Sequence, residues 1–564
     1  MSLKIYLAQI NNKVGDISFN SSLILDVIKN ANEKKCDLVI FPEMSLCGYP
    51  CEDLWKKEYF INECLKELEN IVAATKNTSA AILIGCPYIE KKGNHKAQIF
   101  NALFLIENNE IKYVIKKKSL PNYGVFDENR YFDASSALSY VDFRNKKLAI
   151  IICEDFWDNK NLYLLKEQSF DALIVVNSSP FEVNKKYLRL DRAKNFAKSK
   201  AAGVIYVNQV GAQDNLVFDG ASFAVNKFGQ IVKILKDFQE DFVIFDSNDF
   251  DKNISDLLIY KNSLDFLNLN DEDLRLVYSA CVVGLRDYLA KNNFKNIILG
   301  MSGGIDSALV AAISCDAISS DNVKLYALPS RFNSNNSMSD ARICSANIGV
   351  NLEVISIENI FSSMISTLYD YCSFANSSES SQLARENIQS RIRGNILMAI
   401  SNVNSSLLIS TGNKSELATG YSTIYGDMCG AFNPLKDLYK TQIYQLAKWR
   451  NNNASDLFFL NKKNIIPKSI IEKEPSAELR ENQKDSDNLG SYEILDKILY
   501  EMIDNEKSIS EIINKGFDKY LVEKIAKLFY NSEFKRRQSV IGVKISSMSF
   551  DKDRRYPITN SYKK

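Results

Sequence analysis

The 564 residues are 46% hydrophobic, 25% charged and 11% aromatic, a globular balance that excludes a disordered, collagenous or disulfide-stapled chain. With 70 Lys and Arg against 69 Asp and Glu, the net charge is +1, so there is no global field to hold a nucleic-acid backbone or an anionic membrane, and any anion site must be local. The length admits three or four domains of roughly 150 residues, or two large α/β domains.

Lys4, Gln9 and Lys13 interrupt the apolar residues of the amino terminus, and no run of about 18 apolar residues occurs, so neither a signal peptide nor a spanning helix is expected and the chain reads as cytoplasmic. Its 11 cysteines include no C-x-x-C pair, which suits a reducing compartment. The single histidine, His95 in KKGNHKAQ, is expected on a surface loop. One imidazole in a loop supports neither a Ser-His-Asp or Cys-His arrangement nor a histidine-rich zinc site, so an enzyme built on this chain uses another base.

Short β-branched runs read as strands over residues 5–10, 37–41, 80–85, 102–107, 111–116, 147–152, 172–177, 203–208 and 221–226, separated by polar loops and helical stretches in the manner of a layered α/β domain. Residues 1–246 form this first domain. Residues 247–269, rich in Asp, Asn and Ser, read as a linker with no core to bury. A second α/β domain, 270–564, opens on an amphipathic helix through LRLVYSACVVGLRDYLA, then a strand at 296–300, a Gly-rich turn and a helix near Asp306. Strands follow at 324–328 and 407–411. The basic tail from Arg536 reads as irregular.

Glu43, Lys117 and Cys153 each stand at or just after the carboxyl end of a predicted strand, the edge of an α/β sheet where ligands collect. Singly, each has a plain alternative: a core thiol, or a solvated loop charge. Together they match amide hydrolysis through a thioester, which needs a thiol nucleophile, a base for its proton and a cationic donor for the oxyanion. A nearby ammonium would also favour the thiolate of Cys153.

The strings FPEMSLCGYP, KKKSLPNYGVFDENRYF and IICEDFW resemble the nitrilase, or carbon-nitrogen hydrolase, superfamily, and NYGVFDENRYF with CEDFW resembles the glutaminase domain of the glutamine-dependent NAD synthetase family. The resemblance implies an αββα sandwich with Glu43 as base, Lys117 as oxyanion stabiliser, Cys153 as nucleophile and Glu128 as a second acid supporting the lysine. It also implies that Tyr49, Tyr123, Glu154 and Ser179 hold glutamine, with Lys185 at the α-carboxylate. Ser119 departs from the histidine that many relatives carry after the lysine.

NIILGMSGGIDSALV places Ser302, Gly303, Gly304, Asp306 and Ser307 between a strand and a helix, where small residues let backbone N–H groups close around an anion. It lacks the lysine of a Walker loop, and no G-x-G-x-x-G occurs. LPSRFNSNNSMSDA and STGNKSELATG follow two further strands, so Asp306 and Glu416 are carboxylates on separate loops that could share Mg²⁺ with phosphate oxygens. Either could equally be a solvated helix-start acid.

SGGIDSA resembles the ATP pyrophosphatase signature, and PSRFNS, ENIQSRIRGN, STGNKSE, NPLKDLYKTQIYQLA and EPSAEL resemble successive motifs of the NAD synthetase domain, with a Rossmann-like parallel sheet. The carry-over assigns Ser302, Gly303, Gly304, Asp306, Ser307, Ser330 and Thr411 to ATP, Asp306 and Glu416 to Mg²⁺, and Gln389, Arg391, Arg393, Glu416 and Lys440 to the dinucleotide. LGSY near Gly490 departs from the family's Pro-Pro-Tyr. The implied reaction converts nicotinic acid adenine dinucleotide, ATP and glutamine into NAD, AMP, pyrophosphate and glutamate, with ammonia passed internally, in a homo-oligomer without nucleic-acid or membrane partners. GMP and asparagine synthetases, whose glutaminases use a Cys-His-Glu triad or a terminal cysteine, do not fit. The alternatives are a stand-alone amidase or nitrilase with a nucleotide-binding regulatory domain, and a non-catalytic nucleotide sensor.

Overall fold

The computed structural model describes residues 2–91, 97–256, 263, 265–372, 374, 378–481, 483 and 489–562; His95 lies outside them. Two compact units divide between Asn262 and Ser263.

The first unit contains two six-stranded sheets. Its strands are β1 (Lys4–Gln9), β2 (Leu38–Ile40), β3 (Ala81–Glu90), β4 (Gln98–Glu107), β5 (Glu110–Lys116), β6 (Ser139–Phe143), β7 (Lys146–Ile152), β8 (Ala172–Asn177), β9 (Gly203–Asn208), β10 (Val210–Gln213), β11 (Leu216–Asp219), β12 (Phe223–Val225), β13 (Ile231–Ile234) and β14 (Asp241–Asp246). One sheet runs β14-β1-β2-β3-β4-β5 and the other β13-β12-β9-β8-β7-β6, with β10 and β11 as a separate hairpin. In each, three central strands are parallel and the flanking pairings antiparallel.

Alternation along the strands builds the layers, because successive side chains leave opposite faces. Ile5, Leu7, Leu38, Ile40 and Leu83 pack against Leu148, Ile150, Ile152, Ile174 and Val176 in a core shared by the two sheets. The intervening Tyr6, Val39, Phe41, Ile82 and Ile84 face outward onto Ile24 and Ile28 of helix Ile17–Glu33 and Cys64 and Leu68 of helix Glu58–Ala74. On the far side Ile151, Val175 and Val204 meet Leu190, Ala193 and Phe196 of helix Lys185–Lys200. The order is therefore helix, sheet, sheet, helix, the αββα sandwich.

The second unit is built on an all-parallel sheet of β15 (Ile297–Gly300), β16 (Val323–Ala327), β17 (Leu352–Val354), β18 (Leu407–Ile409), β19 (Phe432–Asn433) and β20 (Ile541–Gly542), in the order β17-β16-β15-β18-β19-β20. The chain moves from β15 to β16 on one side and later returns to β18 on the other. That reversal opens a crevice at the carboxyl ends of these strands, the usual ligand position in open α/β sheets.

Three expectations differ in detail. The linker is not without core: Ser247–Asp251 forms a short helix whose Phe250 packs on Phe245 in the inter-sheet core. Helix Asp271–Lys291 is buried on every side from Leu276 to Leu285 rather than amphipathic, since Tyr278 packs against Trp449 and Phe458. The tail is not irregular throughout. It supplies β20, and beyond it Lys544 pairs with Asp553 at 2.8 Å while Ile545 and Ser546 donate backbone N–H bonds to Asp437. The tail is thus held both by its own Asp553 and by the distant Asp437, which local composition does not reveal.

Candidate active sites

In the first unit the polar groups gather where β2, β5, β7 and β8 end. Glu43, three residues past β2, and Lys117, one past β5, are fully buried and lie 2.8 Å apart, Nζ to Oε1. The same Nζ lies 2.8 Å from Glu128 Oε1, and the Tyr49 hydroxyl donates to that oxygen at 2.8 Å. Glu43 Oε1 also accepts from Asn101 Nδ2 at 2.7 Å, and Oε2 from Ser178 N–H at 2.9 Å. Two carboxyl groups thus share one ammonium in a dry cluster. Burial pushes the Glu128 carboxyl up to about 7 despite Lys117. Burial also opposes the lysine's charge, but Glu128 and Glu43 outweigh it and hold the ammonium well above its ordinary range.

Cys153 follows β7 with φ +43, its N–H bound to Val176 O at 2.9 Å. A positive φ on a non-glycine residue is a strained turn that the surroundings must enforce. Here Asp155 does so, accepting from Ile152 N–H at 3.1 Å and from Lys118 and Ser119 N–H at 3.0 and 2.6 Å, which ties the cysteine turn to the lysine turn. As expected, the nearby Lys117 favours the thiolate form of Cys153, but burial, reinforced by Glu43, outweighs it and pushes the thiol well up. The resting group is a neutral thiol that needs a base.

Tyr123 donates to Glu154 Oε2 at 2.8 Å. Lys185 lies 4.7 Å over the Trp157 ring, and burial lowers its pKa although Glu182 and Glu154 favour its charge. Ser179 is held through its backbone, N–H to Asn208 Oδ1 at 2.8 Å. Ser119 accepts from Asn161 Nδ2 at 2.9 Å and donates to Asp158 Oδ2 at 3.0 Å.

In the second unit the turn after β15 closes on itself. Ser302 and Ser307 hydroxyls lie 3.0 Å apart, and Gly304 N–H donates to Ser302 Oγ at 3.2 Å. Gly303 has φ +81, and a Cβ there would meet Ser337 O at 2.2 Å, so only glycine fits. A cavity of about 400 Å³ adjoins this turn, lined by Ser302, Ser307, Asn333, Arg393 and Thr411 together with Lys535, just before the tail. Burial lowers the Arg393 pKa to about 10; its Nε donates to Leu328 O at 2.9 Å.

Asp306 pairs with Lys440 and accepts from Asn413 Nδ2 at 3.0 Å, and Glu416 Oε1 lies 3.5 Å from the same lysine. Burial disfavours that ammonium, yet Asp306 and Glu416 keep its pKa raised. Ser330 and Gln389 bond to each other at 2.9 Å, and Gln389 lines a neighbouring cleft with Arg331 and Arg385. Arg391 is not among the residues lining either space and donates to Ile424 O at 3.2 Å. No group of three or more His, Cys, Asp or Glu side chains suited to a metal occurs among the described residues.

Asn101, Asp155 and Lys535 carry bonds or line space at these sites without having stood out in the sequence. Asn101 was findable as the one amide inside the apolar run of β4.

Residues 4–248 match the family model for carbon-nitrogen hydrolase, and residues 277–539 match that for NAD synthase. The chain is 38% identical over 568 residues to the glutamine-dependent NAD(+) synthetase of Acinetobacter baylyi, covering 100% of this chain and 99% of the relative. It is 39% identical to that of Aquifex aeolicus, covering 99% and 100%. The solved glutamine-dependent NAD+ synthetase of Acinetobacter baumannii, in complex with adenosine diphosphate, superposes with a TM-score of 0.75 at 35% identity over 99% of both chains. The chain belongs to the glutamine-dependent NAD(+) synthetase family.

Proposed function

We propose that the first unit hydrolyses glutamine at Cys153 and that the second uses the ammonia to convert nicotinic acid adenine dinucleotide into NAD with ATP. The observation that carries this is the dry Glu43, Lys117 and Glu128 cluster beside Cys153, in a chain that also holds the Gly303 turn. Glu43 takes the thiol proton as sulfur attacks the amide carbon, and returns it to the departing ammonia. Lys117 has three N–H bonds, of which Glu43 and Glu128 take two; the third serves the oxyanion. Water then cleaves the thioester to glutamate. Glutamine itself rests on Tyr123, Glu154, Ser179 and Lys185, with Tyr49 acting through Glu128.

In the second unit the nicotinate carboxylate attacks the α-phosphorus of ATP, pyrophosphate leaves, and ammonia displaces AMP from the resulting acyl-adenylate. The turn of Ser302, Gly303, Gly304 and Ser307 cradles phosphate through backbone N–H groups, with Ser330 and Thr411 beside the nucleotide. Gln389 and Arg393, which line these spaces, serve the dinucleotide, and Arg391 does so only by turning from the Ile424 carbonyl. Asp306 and Glu416 offer hard oxygen donors whose charge Lys440 only partly offsets, and so fit Mg²⁺. When bound, the ion supplies positive charge to phosphate oxygens; Lys440 is then free to meet phosphate or dinucleotide.

No described helix is long and apolar enough to cross a membrane; cytoplasmic location and a homo-oligomeric state are part of the same reading. The test is product analysis with ATP, Mg²⁺, the dinucleotide acid and glutamine. Equal amounts of NAD, AMP, pyrophosphate and glutamate support it, whereas glutamate release without any NAD supports an amidase with a nucleotide-binding appendage.

A further inference from the structure

Beside the glutaminase cluster, and outside every role assigned so far, lies a second buried ion pair. Arg189, on the second turn of helix Lys185–Lys200, is 2% exposed, and Asp219, the last residue of β11, is fully buried. Arg189 Nη1 lies 2.6 Å from Asp219 Oδ1. Its Nη2 donates to two successive carbonyls, Ser179 O at 3.0 Å and Pro180 O at 2.8 Å.

Asn208, which ends β9, holds the same loop from another side. Its Oδ1 accepts from Ser179 N–H at 2.8 Å, and its Nδ2 donates to Ser179 O at 3.1 Å and Gly220 O at 3.2 Å. One amide side chain thus meets both backbone groups of Ser179, as a neighbouring strand would, at the point where β8 leaves the sheet. The adjacent Ser178 binds Glu43 twice, N–H to Oε2 at 2.9 Å and Oγ to the main-chain oxygen at 3.0 Å.

An ion pair in a dry core is no better for stability than apolar filling of the same shape. This one is also incompletely matched, because Arg189 Nε and Asp219 Oδ2 are buried without hydrogen-bond partners. The guanidinium fork is turned toward the loop carbonyls, which a lysine could not hold in the same planar geometry. We propose that Arg189, anchored by Asp219 and aided by Asn208, is a positioning residue for glutamine hydrolysis. It fixes residues 178–180 so that Ser178 orients Glu43 and Ser179 meets glutamine. This rests on the glutamine-dependent reading of the first unit.

The experiment measures NAD formation from glutamine and from ammonium in wild type, Arg189→Lys, Arg189→Met and the double variant Arg189→Met with Asp219→Asn. The double variant avoids leaving Asp219 charged and alone in the core, and circular dichroism establishes that it is folded. Loss of charge-assisted hydrogen bonds predicts a rise of about tenfold or more in KM for glutamine, with a smaller fall in kcat. Ammonium-dependent turnover stays at the wild-type rate, and Arg189→Lys falls between wild type and the double variant. An unchanged KM for glutamine in the folded double variant overturns the inference, as does a parallel loss of both activities, which marks a purely structural pair. A wild type that makes NAD from ammonium but never from glutamine overturns the reading beneath it, a result visible before any variant is made.

Discussion

Lys117 Nζ sits 2.8 Å from Glu43 Oε1 with both side chains fully buried, so the proposed base and the proposed oxyanion donor are one hydrogen-bonded unit. Neither can be altered without changing the charge balance of the other.

Lys117→Met therefore leaves Glu43 and Glu128 without their shared cation. Removing one partner from a buried pair costs about 3–5 kcal/mol. Urea unfolding should show a destabilisation of that order in the first unit's transition, and glutamine-dependent NAD formation should be lost. A variant as stable as wild type would mean that the cluster is wet.

The pH dependence follows from Glu128, whose carboxyl is raised to about 7, chiefly by burial. The folded state binds this proton more tightly than the unfolded one. Its contribution to stability is thus fully present below the unfolded value near 4.5 and is lost as pH rises through about 7. Between pH 5 and pH 8 the urea midpoint of wild type should fall by more than that of Glu128→Gln, in which this titration is absent. Equal falls in the two proteins would refute the assignment.

Gly303→Ala tests the phosphate turn. The added Cβ meets Ser337 O at 2.2 Å on a backbone with φ +81, and both the clash and the conformation are costly. NAD formation should drop about a hundredfold or more from either nitrogen source, equivalent to about 3 kcal/mol of lost transition-state binding, while circular dichroism shows the chain folded. Undiminished turnover would place ATP elsewhere.

Glu43, Lys117 and Cys153 were legible as polar residues at the ends of apolar runs, since a strand end is where a buried sheet first reaches solvent or ligand. The four-layer order was less so; it rests on which alternate faces of β1 and β7 meet, a long-range choice that each strand's own pattern leaves open. Asp155 looks like a solvated helix-start acid in CEDFW, yet it bonds Ser119 N–H at 2.6 Å, a residue 36 positions away. The tail shows the same limit. It reads as irregular, whereas Arg536 donates to Leu417 and Ala418 carbonyls in the core and the preceding Lys535 lines the cavity beside the Gly303 turn. Lys414 completes this pinning, 3.0 Å from Asp437 and 2.7 Å from Ser546 Oγ.

The division of labour between the two units is the central claim, and Cys153→Ala tests it most directly, assayed with glutamine and with ammonium as nitrogen source. Loss of a covalent nucleophile predicts a fall of about a thousandfold or more with glutamine, with NAD still formed from ammonium. A variant that continues to make NAD from glutamine, or a folded one that makes it from neither source, would contradict the account.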